Sequence, residues 1–138
     1  MANTAYNKAK QLLSSADLDL ASSDLRVLLV DGYTVNAEHN FVSAVSSYEV
    51  SGSGYVRKQL INKSVSRDSI NHRIKLTADD VLWTLANFQA DGGVIYEHTG
   101  NDNTAPLIAY LDFGVVKRSQ NTDFKIEWSD AEGIINIR

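Results

Sequence analysis

The chain has no cysteine and a single proline, Pro106, among its 138 residues. The missing cysteine excludes disulfides, thiolate metal sites and a cysteine nucleophile, and leaves the redox compartment open. Long apolar runs are missing too. The longest, Val27–Val30 and Pro106–Leu111, fall far short of the ~20 residues a membrane-spanning helix requires. The N-terminus, Met1-Ala-Asn-Thr-Ala-Tyr-Asn-Lys-Ala-Lys10, spreads charge among small and polar residues with no apolar stretch behind it. No signal peptide is therefore expected, and the reading is a soluble protein made in a cytoplasm. The sequon Asn62-Lys63-Ser64 lacks a secretory context and is read as chance.

Positive charge is scarce outside one window. From Tyr55 to Lys75 there are six cationic side chains (Arg57, Lys58, Lys63, Arg67, Arg73 and Lys75) against one acid, Asp68, a local charge of +5. The rest of the chain carries 7 basic and 16 acidic residues, so the total is −4. Such a chain has two electrically unlike regions and can dock by charge on an acidic partner or on copies of itself. The window opens on Gly52-Ser53-Gly54-Tyr55, a turn. With 43% apolar and 22% charged residues, the composition is that of one globular domain, residues 1–138, rather than of a disordered chain.

Periodicity points to a mainly β fold. Ala5, Ala9, Leu12, Leu13 and Ala16 recur at helical spacing, which predicts an N-terminal helix of about three turns with Asn3 or Thr4 as its cap. Residues 1–20 could alternatively stand off as an arm from a β-domain spanning 21–138. Leu25–Val30 is continuous and rich in branched residues, as in a strand covered on both faces. A single helical turn is possible around Phe41–Val45. Ile70, Ile74 and Leu76 alternate with polar and cationic residues, as do Val81, Trp83 and Leu85, and then Phe124, Ile126 and Trp128. Asp91-Gly92-Gly93 reads as a hairpin turn into Val94–Glu97. Leu107–Phe113 reads as a central strand, and Ile134–Arg138 as a short closing one. The expectation is about seven to nine short strands in a compact β-sandwich or barrel.

Constellations that carry chemistry are weak. Gly52-Ser53-Gly54 is followed neither by a P-loop lysine nor by a dinucleotide fingerprint, and Ser53 lacks the frame of a nucleophile elbow. His39, His72 and His98 form no short metal-binding pair. Glu97, His98, Asn101 and Asp102 do not match a calcium loop. The close acids Asp79-Asp80 and Asp17/Asp19 are the residues that open turns and helices. Tyr55 is the only aromatic of the basic tract, and the chain is acidic overall, which argues against direct nucleic-acid binding. Trp83, Trp128, Phe113 and Phe124 fall on strand patterns, as core residues do. No catalytic residue, cofactor or metal site is expected.

Several phrases, taken in order, carry a resemblance. They are Ala2–Lys10 with Asp17–Leu20, Leu25–Asp31 with Tyr33, and Glu49–Tyr55 with Leu60. Further along come Ala78–Trp83, Pro106–Gly114, and Phe124–Trp128 with Gly133-Ile134. Over nearly its whole length the chain resembles small virion structural proteins of tailed bacteriophages. The resemblance implies a non-enzymatic virion component. Capsid decoration, or cement, across capsomer junctions is the foremost role; a tail, neck or fibre-associated module that binds a receptor or glycan is the alternative. It further implies the major capsid protein or neighbouring virion proteins as partners, a homo-oligomer with a trimer favoured, and no membrane. Tyr55, Arg57, Lys58, Arg73 and Lys75 are the expected protein-binding residues. Long cations on strand edges also guard against aggregation, so solvation alone is a competing account of the tract.

Overall fold

The computed structural model describes residues 2–70, 73–128 and 134–137. It is mainly β, with eight strands in two antiparallel sheets among the described residues, and neither sheet closes into a barrel. The larger sheet holds β1 (Ala2–Ala5), β2 (Leu25–Val30), β3 (Lys58–Gln59), β6 (Val81–Glu97) and β7 (Leu107–Ile126), ordered β1-β7-β6-β2-β3. The smaller holds β4 (Ser64–Asp68), β5 (Arg73–Thr77) and β8 (Ile135–Ile137), ordered β4-β5-β8.

The continuous apolar run of β2 is covered on both faces. Leu25, Val27 and Leu29 enter one core with Trp83, Ile95, Leu111 and Phe124, while Leu28 and Val30 enter a second with Tyr6, Tyr33, Val94 and Tyr110. Leu76 of β5 and Ile134 join the first core, so the two sheets share it. Each fully buried side chain of Leu or Ile size contributes about 1.5–3 kcal/mol relative to exposure.

Three features depart from the periodicity. First, helix α1 spans only Asn7–Ser14, and its N-cap position is Tyr6 with no side-chain cap. Asn3 and Thr4 lie instead in β1, paired with Leu111 and Tyr110, and Tyr6 donates its amide to the Ile108 carbonyl at 3.0 Å. Pairing with β7 engages the backbone of residues 2–5, and with Tyr6 buried this segment packs on its own sheet rather than standing off as an arm. Second, Asp91-Gly92-Gly93 is no turn. The glycines lie within β6, buried, and a Cβ on Gly92 would come within 2.5 Å of the Tyr110 hydroxyl. Glycine is there for close packing rather than for positive φ. Third, the segments expected as separate short strands fuse into a long hairpin, with β6 of 17 and β7 of 20 residues. The turn signals mark bulges inside it: Ala90 pairs with Lys117 but Gly92 with Asp112, so residues 113–116 loop out opposite Asp91. Such an excursion bends the ribbon without ending it.

The helical turn near Phe41 appears as two 3₁₀ turns, Val42–Ala44 and Ser46–Tyr48. No described helix is long and apolar enough to cross a membrane.

Candidate partner-binding surface

Residues 49–60 form a strap that leaves β2, crosses to β6 and returns. Val50 donates its amide to the Leu29 carbonyl at 3.0 Å at one end, and Leu60 donates to Leu25 at 2.8 Å at the other. In between, Asn87 donates its amide to the Ser53 carbonyl at 2.9 Å and the Trp83 indole donates to Val56 at 2.7 Å. The glycines of the turn are a consequence of this crossing. A Cβ on Gly52 would lie 2.1 Å from the Asn87 carbonyl oxygen, and one on Gly54 2.8 Å from that of Leu85, both at positive φ. The turn is thus pressed on the sheet, with no open cradle for a phosphate.

Arg57 fastens the strap. Its Nε and Nη2 donate to the two carboxylate oxygens of Glu49 at 2.8 Å each, and Nη1 and Nη2 donate to Asp102 at 2.9 and 3.1 Å. The guanidinium also lies over the Tyr96 ring, 5.4 Å from its centroid. Tyr55 donates its hydroxyl to Glu49, accepts the Leu29 amide at 3.2 Å, and packs edge-on against Phe88. These contacts move the titrations. Hydrogen bonds donated to Glu49 and then to Asp102 push the Arg57 guanidinium up, Arg57 holds the Asp102 carboxyl below its usual range, and burial pushes the Tyr55 phenol up. The two sequence-predicted residues at this end of the tract, Tyr55 and Arg57, therefore have internal work: they join strap, sheet and the 98–105 loop.

The remaining predicted residues lie elsewhere. Lys58 is half-buried in β3, paired with Val27. Lys75 sits in β5 opposite Ser66 of β4. Arg73 is in β5 opposite Asp68, and its side chain lies outside the described residues, as do Asn71 and His72. Lys63 donates to the Ser23 carbonyl, while Arg67 of β4 is exposed. Cationic side chains thus flank the β4–β5 hairpin, and this surface is apolar as well. Ile61 is 62% exposed, Val65 41% and Ile70, at the hairpin tip, 87%. Beside Val65 runs a groove of about 530 Å³ lined by Leu13, Ala16, Leu18, Leu20 and Ala21, with Asp19 among them. Periodicity missed this groove, because Leu18 and Leu20 fall between the helical pattern, which ends at Ala16, and the strand run from Leu25. Their alternation with Asp17 and Asp19 was the available signal.

Comparison with family models, with curated proteins and with solved structures found no match to this chain. The geometry has to speak for itself. Among the described residues no three His, Asp or Glu side chains gather as a metal site would require. The residues of the suspected polar loop are otherwise engaged: Asp102 holds Arg57, and Asn101 accepts the amide of Asn103 at 2.9 Å. Asp19 accepts the amides of Ala21 and Ser22 and so serves a turn, while Asp79 accepts from the Asn62 side chain at 2.7 Å. Trp83 and Trp128 are buried and offer no stacking platform to a sugar.

Proposed function

We propose that this chain is a non-enzymatic structural protein of a tailed-bacteriophage particle that docks on a neighbouring virion protein, the major capsid protein foremost, and reinforces the head. The resemblance read from its sequence motifs supports this, as does a β architecture with long paired strands. The observation that carries the reading is the β4–β5 hairpin. An otherwise acidic chain there combines cationic side chains with exposed Ile61, Val65 and Ile70 beside an apolar groove. Exposed apolar side chains rimmed by charge mark surfaces made for a protein partner. A shell opens only when contacts between capsomers break, so a small protein bound across a junction adds an interface that must also break. Arg67, on the Val65 face of the hairpin, and Lys58 of β3 are the docking cations in this reading; Lys75, paired with Ser66, lies on the hairpin's other face, and Arg57 holds the strap instead. Charges at an interface rim act chiefly on association rate and salt sensitivity.

The test is to strip particles of this protein, add it back and image them. Density at capsomer junctions, with earlier thermal rupture of the stripped heads, is expected. Density confined to the head–tail junction or to fibres would overturn the cement role in favour of a tail, neck or fibre component. Add-back of a Lys58→Glu, Arg67→Glu variant is expected to weaken, most at low salt.

A further inference from the structure

The outer edge of β4 is the place in the molecule best suited to receive another chain. Among the described residues β4 pairs with β5 alone and is the terminal strand of its sheet. An unpaired strand edge presents backbone donors and acceptors to any extended segment that can align with them. Ser64, Val65, Ser66 and Arg67 are all exposed. Natural edges are usually blunted by proline, a bulge or a covering element; the described residues of this edge show none of these, only flanking cations.

Side-chain parity defines what would fit. Successive residues of a strand point to opposite faces, so Val65 and Arg67 of β4 share one face; Lys63, just ahead of the strand, reaches the groove from its own position, its ammonium donating to the Ser23 carbonyl and acting on Asp19 of the groove. That face is the groove side, because Val65 lines the groove and its partner across the ladder, Leu76, points into the core. The wall therefore reads cation, apolar, cation at intervals of two. Opposite it lie Leu13, Ala16, Leu18 and Leu20. The one acid of the groove, Asp19, is turned to the amides of Ala21 and Ser22.

We infer that the β4 edge binds, by strand addition, an extended segment of a partner protein in which an apolar residue is flanked two positions away on each side by Asp or Glu. The apolar side chain enters the groove, and the two carboxylates face Lys63 and Arg67. Strand addition of this kind takes affinity from the main chain and selectivity from alternate side chains. The partner is a different protein rather than a second copy. Within this chain only Asp123 and Glu127 are acids four residues apart, and the residue between them is Lys125. This inference deepens the docking role proposed above, by naming the partner's segment.

The probe is a blocked heptapeptide of sequence TETLTET, compared with TKTLTKT, and binding is read by fluorescence anisotropy and by amide hydrogen exchange of the whole protein. TETLTET is expected to bind and to slow exchange in Ser64–Asp68, and TKTLTKT is expected not to bind. Arg67→Glu is expected to weaken binding about tenfold, the scale of losing one hydrogen bond to a charged group. Val65→Asp, at an exposed position where the fold should persist, is expected to do the same, with unchanged near-ultraviolet circular dichroism as the check on folding. Absence of binding, equal binding of the lysine peptide, or binding without protection of β4 amides would overturn the inference. Shells that take up the protein although TETLTET does not bind would sink this inference and leave the virion role standing. Peptide binding without uptake by shells would do the reverse.

Discussion

Replacing Arg57 by Met keeps most of the side chain's length and removes its charge and five donors. The consequence follows from the exposure of the three partners. The Arg57 side chain is 25% exposed, Glu49 18% and Asp102 42%. An exposed ion pair contributes about 0–1 kcal/mol. Removing one partner of a fully buried pair costs about 3–5 kcal/mol, because the other charge stays desolvated and unmatched. The Asp102 limb lies near the first limit. The Glu49 limb lies between the two, with the Tyr55 hydroxyl still donating to it. The expected loss is about 2–3 kcal/mol, or a fall of about 6–12 °C in Tm for a domain of this size. Chemical denaturation with matched slopes is the assay. Arg57→Lys should recover less than half of the loss, since an ammonium cannot serve two carboxylates as a planar fork does. Combining Arg57→Met with Glu49→Gln should cost about 1 kcal/mol less than the sum of the single changes, because the stranded carboxylate is gone.

The pH dependence has a definite sign. Hydrogen bonds from Arg57 hold the folded-state Asp102 carboxyl below its usual range. Its contribution is therefore present above the unfolded value, about pH 4, and is lost as pH falls through the depressed one. The stability gap between wild type and Arg57→Met should narrow on acidification below about pH 4. A loss under ~0.5 kcal/mol for Arg57→Met, or a gap independent of pH through the acid range, would refute the view of Arg57 as the strap's fastening.

Gly52→Ala should be among the most damaging single changes, about 2–4 kcal/mol, because its Cβ would lie 2.1 Å from backbone oxygen. Gly114→Ala, at φ +79 with open space around it, should cost only about 1 kcal/mol; equal effects in urea denaturation would show that the strap does not press on β6. Gly92→Ala should be destabilising, and more than additively rescued by Tyr110→Ala, since the added methyl would meet that ring at 2.5–2.8 Å. Burial pushes the phenols of Tyr6 and Tyr55 far up and that of Tyr110 to about 12. The stabilisation they carry is present below about pH 10 and lost as pH rises above it. Ultraviolet titration should therefore show these three ionising with loss of tertiary circular dichroism. A single wave of all six tyrosines near pH 10 in a still-folded protein would contradict the packing.

The readable parts of this fold are those in which a residue's environment depends on its near neighbours. Leu25–Val30 announces a strand covered on both faces because no alternate residue except Arg26 is polar. Trp83 and Phe124 announce core positions by alternation, and the structure stacks them edge-on at 5.9 Å. The failures share a cause of the opposite kind. Gly92-Gly93 looks like a turn because glycine permits one, yet its role is set by Tyr110, which only the β6–β7 register brings alongside. Asn3 and Thr4 look like helix caps, yet β7 offers their backbone a ladder. The clamp was illegible for the same reason: Glu49 precedes Arg57 by eight positions, but Asp102 follows it by 45, and no pattern along the chain links them.

The basic tract shows how a charge count over a window of sequence differs from a charge in space. Between Tyr55 and Lys75 the count is +5, which suggests one positive face. The fold divides it. Arg57 meets two carboxylates, so the cluster of Glu49, Arg57 and Asp102 is net negative. Lys63 is bonded to the Ser23 backbone carbonyl, which leaves its charge in place but fixes its position. The other cations of the tract's second half, Arg67, Arg73 and Lys75, lie on the β4–β5 hairpin, at the opposite end of the tract from the Gly-Ser-Gly turn. Screening acts over about 8–10 Å at ordinary ionic strength, so each charge is governed chiefly by its near neighbours. It follows that Arg67→Glu should change the salt dependence of docking and leave stability nearly untouched, whereas Arg57→Met should change stability and leave the salt dependence alone. Measuring both quantities on both variants separates a docking face from a structural clamp, and a crossed result would return the tract to the undivided positive surface that its sequence suggests.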